Sequence, residues 1–134
     1  MSEHFRRRGV APSGLVGFIG LLLGVGLALA ACTPADWRPS AIAGAQAKIR
    51  QDLADPVARF SRIQVTGDAV TGQTCGYVTA KAGQDAGDLT GRFIVYIDAT
   101  AGPYVEGGRG KADLSQEDFD RAWQADCVAE GYRG

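Results

Sequence analysis

An α+β domain built on a small antiparallel sheet is predicted over residues 40–134, on three features of the chain. Three short segments alternate apolar and polar residues, or are rich in β-branched and aromatic ones, with glycine-containing turns between them, as strands joined in sequence require. Apolar residues recur at helical spacing before these segments and again after them. The links are short enough for a meander, so antiparallel pairing of successive strands is the simplest arrangement. The expected order is α-β-β-β-(β)-α, a sheet of three to four strands with both helices packed on one face.

Each element has its own signal. Ser40 can cap a helix in which Ile42, Ala45, Ile49 and Leu53 fall on one side, with Lys48, Arg50, Gln51 and Asp52 away from it. Pro56 disfavours helical geometry at Asp55, so this helix is expected to end near Ala54. "RIQVT" places Ile63 and Val65 on one face of a first strand, and "TCGYVTAK" reads as a second. In "GRFIVYID", Phe93, Val95 and Ile97 share one side while Ile94 and Tyr96 share the other, which marks a central strand. Tyr104 and Val105 form a weaker fourth. The last helix is announced by Ser115 as N-cap, Asp118 three positions on, and Leu114 with Phe119 at the spacing of a hydrophobic staple. Glu117, Asp118 and Asp120 lie where the helix dipole favours negative charge. Phe119, Trp123 and Cys127 follow at four-residue steps, and Gly131 is the expected terminator.

The chain ahead of this domain is of another kind. Arg6, Arg7 and Arg8 precede an uncharged apolar run from Leu15 to Ala31, the pattern of a secretory signal peptide. The run sits at the lower edge of what spans a bilayer as a helix. At its end, Leu29-Ala30-Ala31-Cys32 resembles the lipobox of bacterial lipoproteins. That resemblance implies cleavage between Ala31 and Cys32 and a diacylglyceryl group on the Cys32 thiol. It divides the chain into a signal peptide at 1–31, a lipidated tether at 32–39 held extended by Pro34 and Pro39, and a single domain at 40–134. In that family Asp after the cysteine favours inner-membrane retention. Thr33 stands there, which implies the outer membrane, and the expected location is its periplasmic face. The alternative is an uncleaved signal anchor, in which Gly20 and Gly24 form a GxxxG packing pattern.

Cysteine number and charge bear on the same question. The chain has three cysteines, an odd count for an exported protein. If Cys32 is lipidated, Cys75 and Cys127 remain as a pair, and an oxidising compartment favours a disulfide over two buried thiols. Of 14 basic and 15 acidic residues, three arginines and Glu3 lie in the first 31, leaving 11 and 14 and a net charge of −3. That balance argues against a nucleic-acid partner and against electrostatic binding to anionic lipid.

A second resemblance covers roughly Asp55 to Tyr96. "DPVARFSRIQV", "CGYVTAK" and "GRFIV" are similar to an uncharacterised family of small exported bacterial proteins with a CGxVNAKN-type strand. Asp55, Pro56, Phe60, Cys75, Gly76, Val78, Ala80, Lys81, Phe93 and Ile94 match, whereas Thr79 and Ala82 replace the two asparagines. The resemblance implies fold boundaries and carries no activity.

Chemistry is sparse. His4, the single histidine, falls in the segment expected to be removed, which excludes Ser-His-Asp, Cys-His and histidine–zinc sites from the mature chain. No CxxC occurs. Glu106 to Lys111, "EGGRGK", lacks the spacing of a phosphate-binding loop and reads as a hairpin tip. Asp98 and Glu106 flank the third and fourth strands and are the pair a carboxylate-only glycosidase would need. Asp85 and Asp88 fail the calcium-loop pattern and read as a solvated turn. Tyr77, Tyr96 and Trp123 are either a ligand surface or core. No catalytic residue, metal or cofactor is expected. The expectation is a non-enzymatic, lipid-anchored envelope protein that contacts another envelope protein or peptidoglycan. The alternatives are a small hydrolase using carboxylates alone and an inhibitor of a hydrolase.

Overall fold

A computed structural model describes residues 34–83, 87–112 and 114–134. The signal peptide, the cleavage after Ala31 and the lipidation of Cys32 are expectations that fall on residues outside the described ones, as does Asp85. Helix α1 spans Arg38–Asp52, strands β1 to β4 span Arg59–Thr66, Gln73–Lys81, Asp88–Tyr96 and Tyr104–Val105, and helix α2 spans Gln116–Ala122. A π-helical segment, Trp123–Val128, continues α2. The four strands form one antiparallel sheet in the order β1-β2-β3-β4, the expected meander. Among the described residues no helix is long and apolar enough to cross a membrane.

Helix α1 begins two residues before Ser40, so its first turn takes in Arg38 and Pro39. Pro39 lies in the first helical turn, where its missing N–H has no partner to lose. The helix closes where Pro56 requires. Asp55 N–H donates to the Arg50 carbonyl (3.0 Å) and Ala54 N–H to that of Gln51 (3.3 Å). This closure puts Ala54 at φ +50°, a left-handed conformation usually given to glycine.

Strand β1 is longer than "RIQVT" and contains a β-bulge. Ser61 pairs with Tyr77 and Gln64 with Cys75, so three steps on β1 match two on β2, and Arg62 absorbs the extra residue at φ +51°. The bulge changes the phase of the strand. Phe60 and Ile63, three apart, both pack against the α1-side core, a result strict alternation forbids.

The expectation that both helices share one face is not met. The sheet is covered on each side. On one face Ala45 and Ile49 of α1 pack with Val78, Ala80, Phe93, Val95 and Val105. On the other Phe119, Trp123 and Cys127 pack with Cys75, Ile94 and Tyr132. The reason lies in β3, whose Phe93 and Ile94 point to opposite faces and are both fully buried. A strand apolar on both sides needs a cover on both. Burying a large apolar side chain is worth about 1.5–3 kcal/mol, so leaving either face bare is costly.

At the C-terminal end, Ser115 caps α2 by accepting from the Asp118 N–H at 3.1 Å. The Asp118 carboxylate accepts from the Ser115 hydroxyl at 2.8 Å instead of returning to the Ser115 amide, so half of a capping box forms. The π turn places Trp123 and Cys127 together on the buried side. Tyr132 N–H to Cys127 and Gly131 N–H to Val128, with Gly131 at φ +102°, close the helix as expected.

Candidate functional site

Polar side chains gather in three places, each set by the sheet. The first is on the α2 face. Arg92 is the polar residue in the apolar run of β3, and the pleat aims it at α2. Its guanidinium lies over Phe119 (5.2 Å) and Trp123 (5.4 Å) and bonds the carboxylates of Glu106 and Asp120 (2.5 Å to the latter). Glu106 also accepts from the Arg92 amide at 2.9 Å and from Gln116 at 3.2 Å. The arginine holds the Glu106 carboxyl down to about 2, and the two carboxylates push the Arg92 guanidinium further up. This node ties β3, the turn after β4 and α2 together through charge-assisted bonds.

The second place lies at the other end of the same face. Tyr96 donates its hydroxyl to Asp126 at 2.5 Å, and the Asp126 carbonyl accepts from Thr66 Oγ1 (3.1 Å) and from the Gln73 side-chain amide. Burial, reinforced by the Asp126 carboxylate, raises the Tyr96 phenol above its ordinary range and keeps it neutral. These bonds satisfy buried Gln73 and Thr66 beside Cys75 and Cys127, whose sulfurs stand at disulfide distance, 2.00 Å.

The third is a broad depression of about 580 Å³ beyond the C-terminal end of α1, lined in part by Leu53, Asp55, Pro56, Val57, Lys81 and Gly83. Asp55, 7% exposed, accepts from the Lys81 amide (3.0 Å) and the Val57 amide (3.1 Å), with the Lys81 bond first in holding its carboxyl below the usual range. It thereby fixes the end of β2 to the end of α1. Val57, 70% exposed, projects at the rim, and Leu89, 52% exposed, stands at the same end of the sheet opposite Ala80.

Comparison of the chain with protein-family models, with curated proteins and with solved structures returned no match. The residues that carried the sequence resemblance have structural work instead. Phe60 meets Phe93 edge to face at 5.6 Å. Gly76 lies under that Phe93 ring, where a Cβ would stand 3.0 Å from the nearest ring carbon and 3.2 Å from the Ile63 Cα. Val78, Ala80 and Phe93 are core, and Asp55 is the clamp just described. Thr79, in place of an asparagine, bonds Thr90 across the strands at 2.7 Å.

The other sequence candidates are placed as follows. Asp98 and Glu106 are each committed: Asp98 accepts from the Thr100 amide (3.1 Å) and hydroxyl (2.9 Å), which hold its carboxyl below the ordinary value. Asp88 pairs with Arg59 at 2.9 Å. Among the described residues no three potential ligands gather for a metal ion. Gly107 and Gly108, both at positive φ, turn the chain after β4, and Arg109 folds back to donate to the Leu89 carbonyl at 3.0 Å. Tyr77 and Trp123 meet edge to face at 6.1 Å, and Trp123 meets Tyr132 at 4.9 Å, so these aromatics are core. Sequence reasoning missed Arg92 and Asp126. A charged residue on an inward position of a central strand was the available signal for the first; nothing local marks the second.

Proposed function

We propose that the chain is a lipid-anchored cell-envelope protein whose domain acts by contact with another envelope protein. The lipobox at Leu29–Cys32 supports the anchor. The contact reading is carried by the end of the domain where Val57 is exposed at the Asp55 depression and Leu89 is exposed at the same end of the sheet, apolar groups on a surface whose buried carboxylate is already spent on backbone amides. The hydrolase alternative needs a carboxyl kept protonated as general acid. Its two candidates are held the other way, Glu106 by Arg92 and Asp98 by Thr100.

Two measurements test this reading. Cells fed a clickable fatty acid are expected to label the protein, and Cys32→Ser to abolish the label; an unlabelled product, or labelling that survives the substitution, removes the anchor. Photo-crosslinkers placed at Val57 and Leu89 in intact cells are expected to capture a reproducible protein, with a crosslinker at Val128 as control on the α2 side. Capture of peptidoglycan fragments alone, or of nothing reproducible, refutes the protein-contact reading.

A further inference from the structure

The structure bears on which end of the domain meets the membrane, an inference that rests on the anchor proposed above. Helix α1 starts at Arg38, six residue steps after Cys32, and so short a tether spans no more than about 20 Å at full extension. A domain of about a hundred residues has a radius of gyration near 13 Å, so the tether is shorter than the domain is wide. The tether therefore keeps the N-terminal end of α1 within about 20 Å of the headgroups, while the far end of the domain can lie beyond that reach.

What lies at that end follows from the packing. Ala41, Gly44 and Ala45 of α1 line a hollow with Thr74 at the start of β2 and Ile97 just after β3. The other end of α1 meets the end of β2 through Asp55 and Lys81. Helix and β2 thus run side by side in the same direction. The β1–β2 turn, Gly67–Gly72, consequently lies at the same end as Trp37. That turn is built by Asp68, whose carboxylate accepts from the Val70 (2.7 Å) and Thr71 (2.8 Å) amides, and it leaves Val70 71% exposed at its tip. Trp37, with the Arg38 guanidinium 5.1 Å from its ring, stands at the N-cap of the helix. Tryptophan favours the membrane–water interface, where its ring is half apolar and half wet.

We propose that the domain rests on the anchoring bilayer through Trp37 and the Val70 turn, and holds the Val57–Leu89 end away from it. Asp36, Asp68 and Asp98 lie at or beside the membrane-facing end, and Arg38 is paired with Asp36 at 3.5 Å. The contact is therefore apolar insertion into a zwitterionic surface and not attraction to anionic lipid.

The test uses the lipidated full chain in phosphatidylcholine vesicles with brominated acyl chains. The protein has two tryptophans, and Trp123 is buried. Wild type is expected to float with the vesicles and to show a blue shift and loss of Trp37 emission, both absent in Trp37→Phe. In the Trp37→Phe background, Val70→Trp is expected to be quenched and Val57→Trp to stay unquenched. Flotation without Trp37 quenching, or quenching at position 57 and not at 70, overturns this orientation while leaving the anchor standing. Failure to float removes the anchor and the orientation together.

Discussion

Among the described residues the Glu106 carboxylate is held far below its ordinary range, and the sign and size of its contribution to acid sensitivity can be worked out. Its pKa falls from an ordinary 4.5 to about 2 in the folded protein, chiefly through the bond from Arg92. The unfolded chain therefore binds this proton near pH 4.5 and the folded chain does not until about pH 2. The stabilisation is complete above about pH 5 and is lost as pH falls toward 2. Two and a half pH units at 1.36 kcal/mol each set a ceiling of about 3 kcal/mol. With 28% of the Glu106 side chain still in water, about 2 kcal/mol is the expected size. Asp55, Asp68, Asp98 and Asp118 are also shifted down, so the total acid sensitivity is a sum. Glu106→Gln isolates one contribution, since the amide oxygen can still accept from the Arg92 N–H while the charge is gone. In urea unfolding at pH 6, wild type is expected to exceed Glu106→Gln by about 2 kcal/mol, and the gap is expected to close by pH 2. A gap that stays constant with pH refutes the charge-based account of this node.

Three further outcomes follow from the same geometry. Replacing Cys75 and Cys127 with alanine opens a link across 52 residues and is expected to cost about 4 kcal/mol in denaturant unfolding; two alkylatable thiols in the native, unreduced protein would contradict the bridge. Ala54→Gly relieves a left-handed residue at the end of α1 and is expected to raise stability by about 0.5–1 kcal/mol, read as a higher melting temperature. Gly72→Ala puts a Cβ against the carbonyls of Thr66 and Asp68 and is expected to cost more than about 2 kcal/mol, with a loosened β1–β2 turn visible in amide exchange. An unchanged melting temperature for Gly72→Ala would show that the turn relaxes freely.

Much of the fold was legible because its signals are local. The helix caps at Ser115 and Gly131, the breaking of α1 before Pro56, and the three main strands each depend on residues within a turn or two of one another. The bulge at Arg62 was less visible, since the sequence shows only that Phe60 and Ile63 are out of step with alternation. The π turn at Trp123–Val128 left no mark in a spacing that suits an ordinary helix equally well. The polar nodes were the least legible. Arg92 meets Asp120 across 28 residues, and Tyr96 meets Asp126 across 30, distances over which no sequence periodicity carries information.

By itself, the sequence determined the main faces of the helices and of β2 and β3, because pleat and helix periods are properties of a single segment, but not the start of α1 at Arg38 or the phase shift within β1. Which helix covers which face was decided only in three dimensions. The apolar pairs of β3, Phe93 with Val95 and Ile94 with Tyr96, require two covers but do not say which element supplies either. The links at 53–58 and 106–115 are long enough to lead to either side. Long-range contacts settled the matter: Cys127 meets Cys75 and Asp120 meets Arg92 on the face of Ile94, which holds α2 there, and Ala45 and Ile49 of α1 pack over Val78, Ala80 and Phe93 on the other.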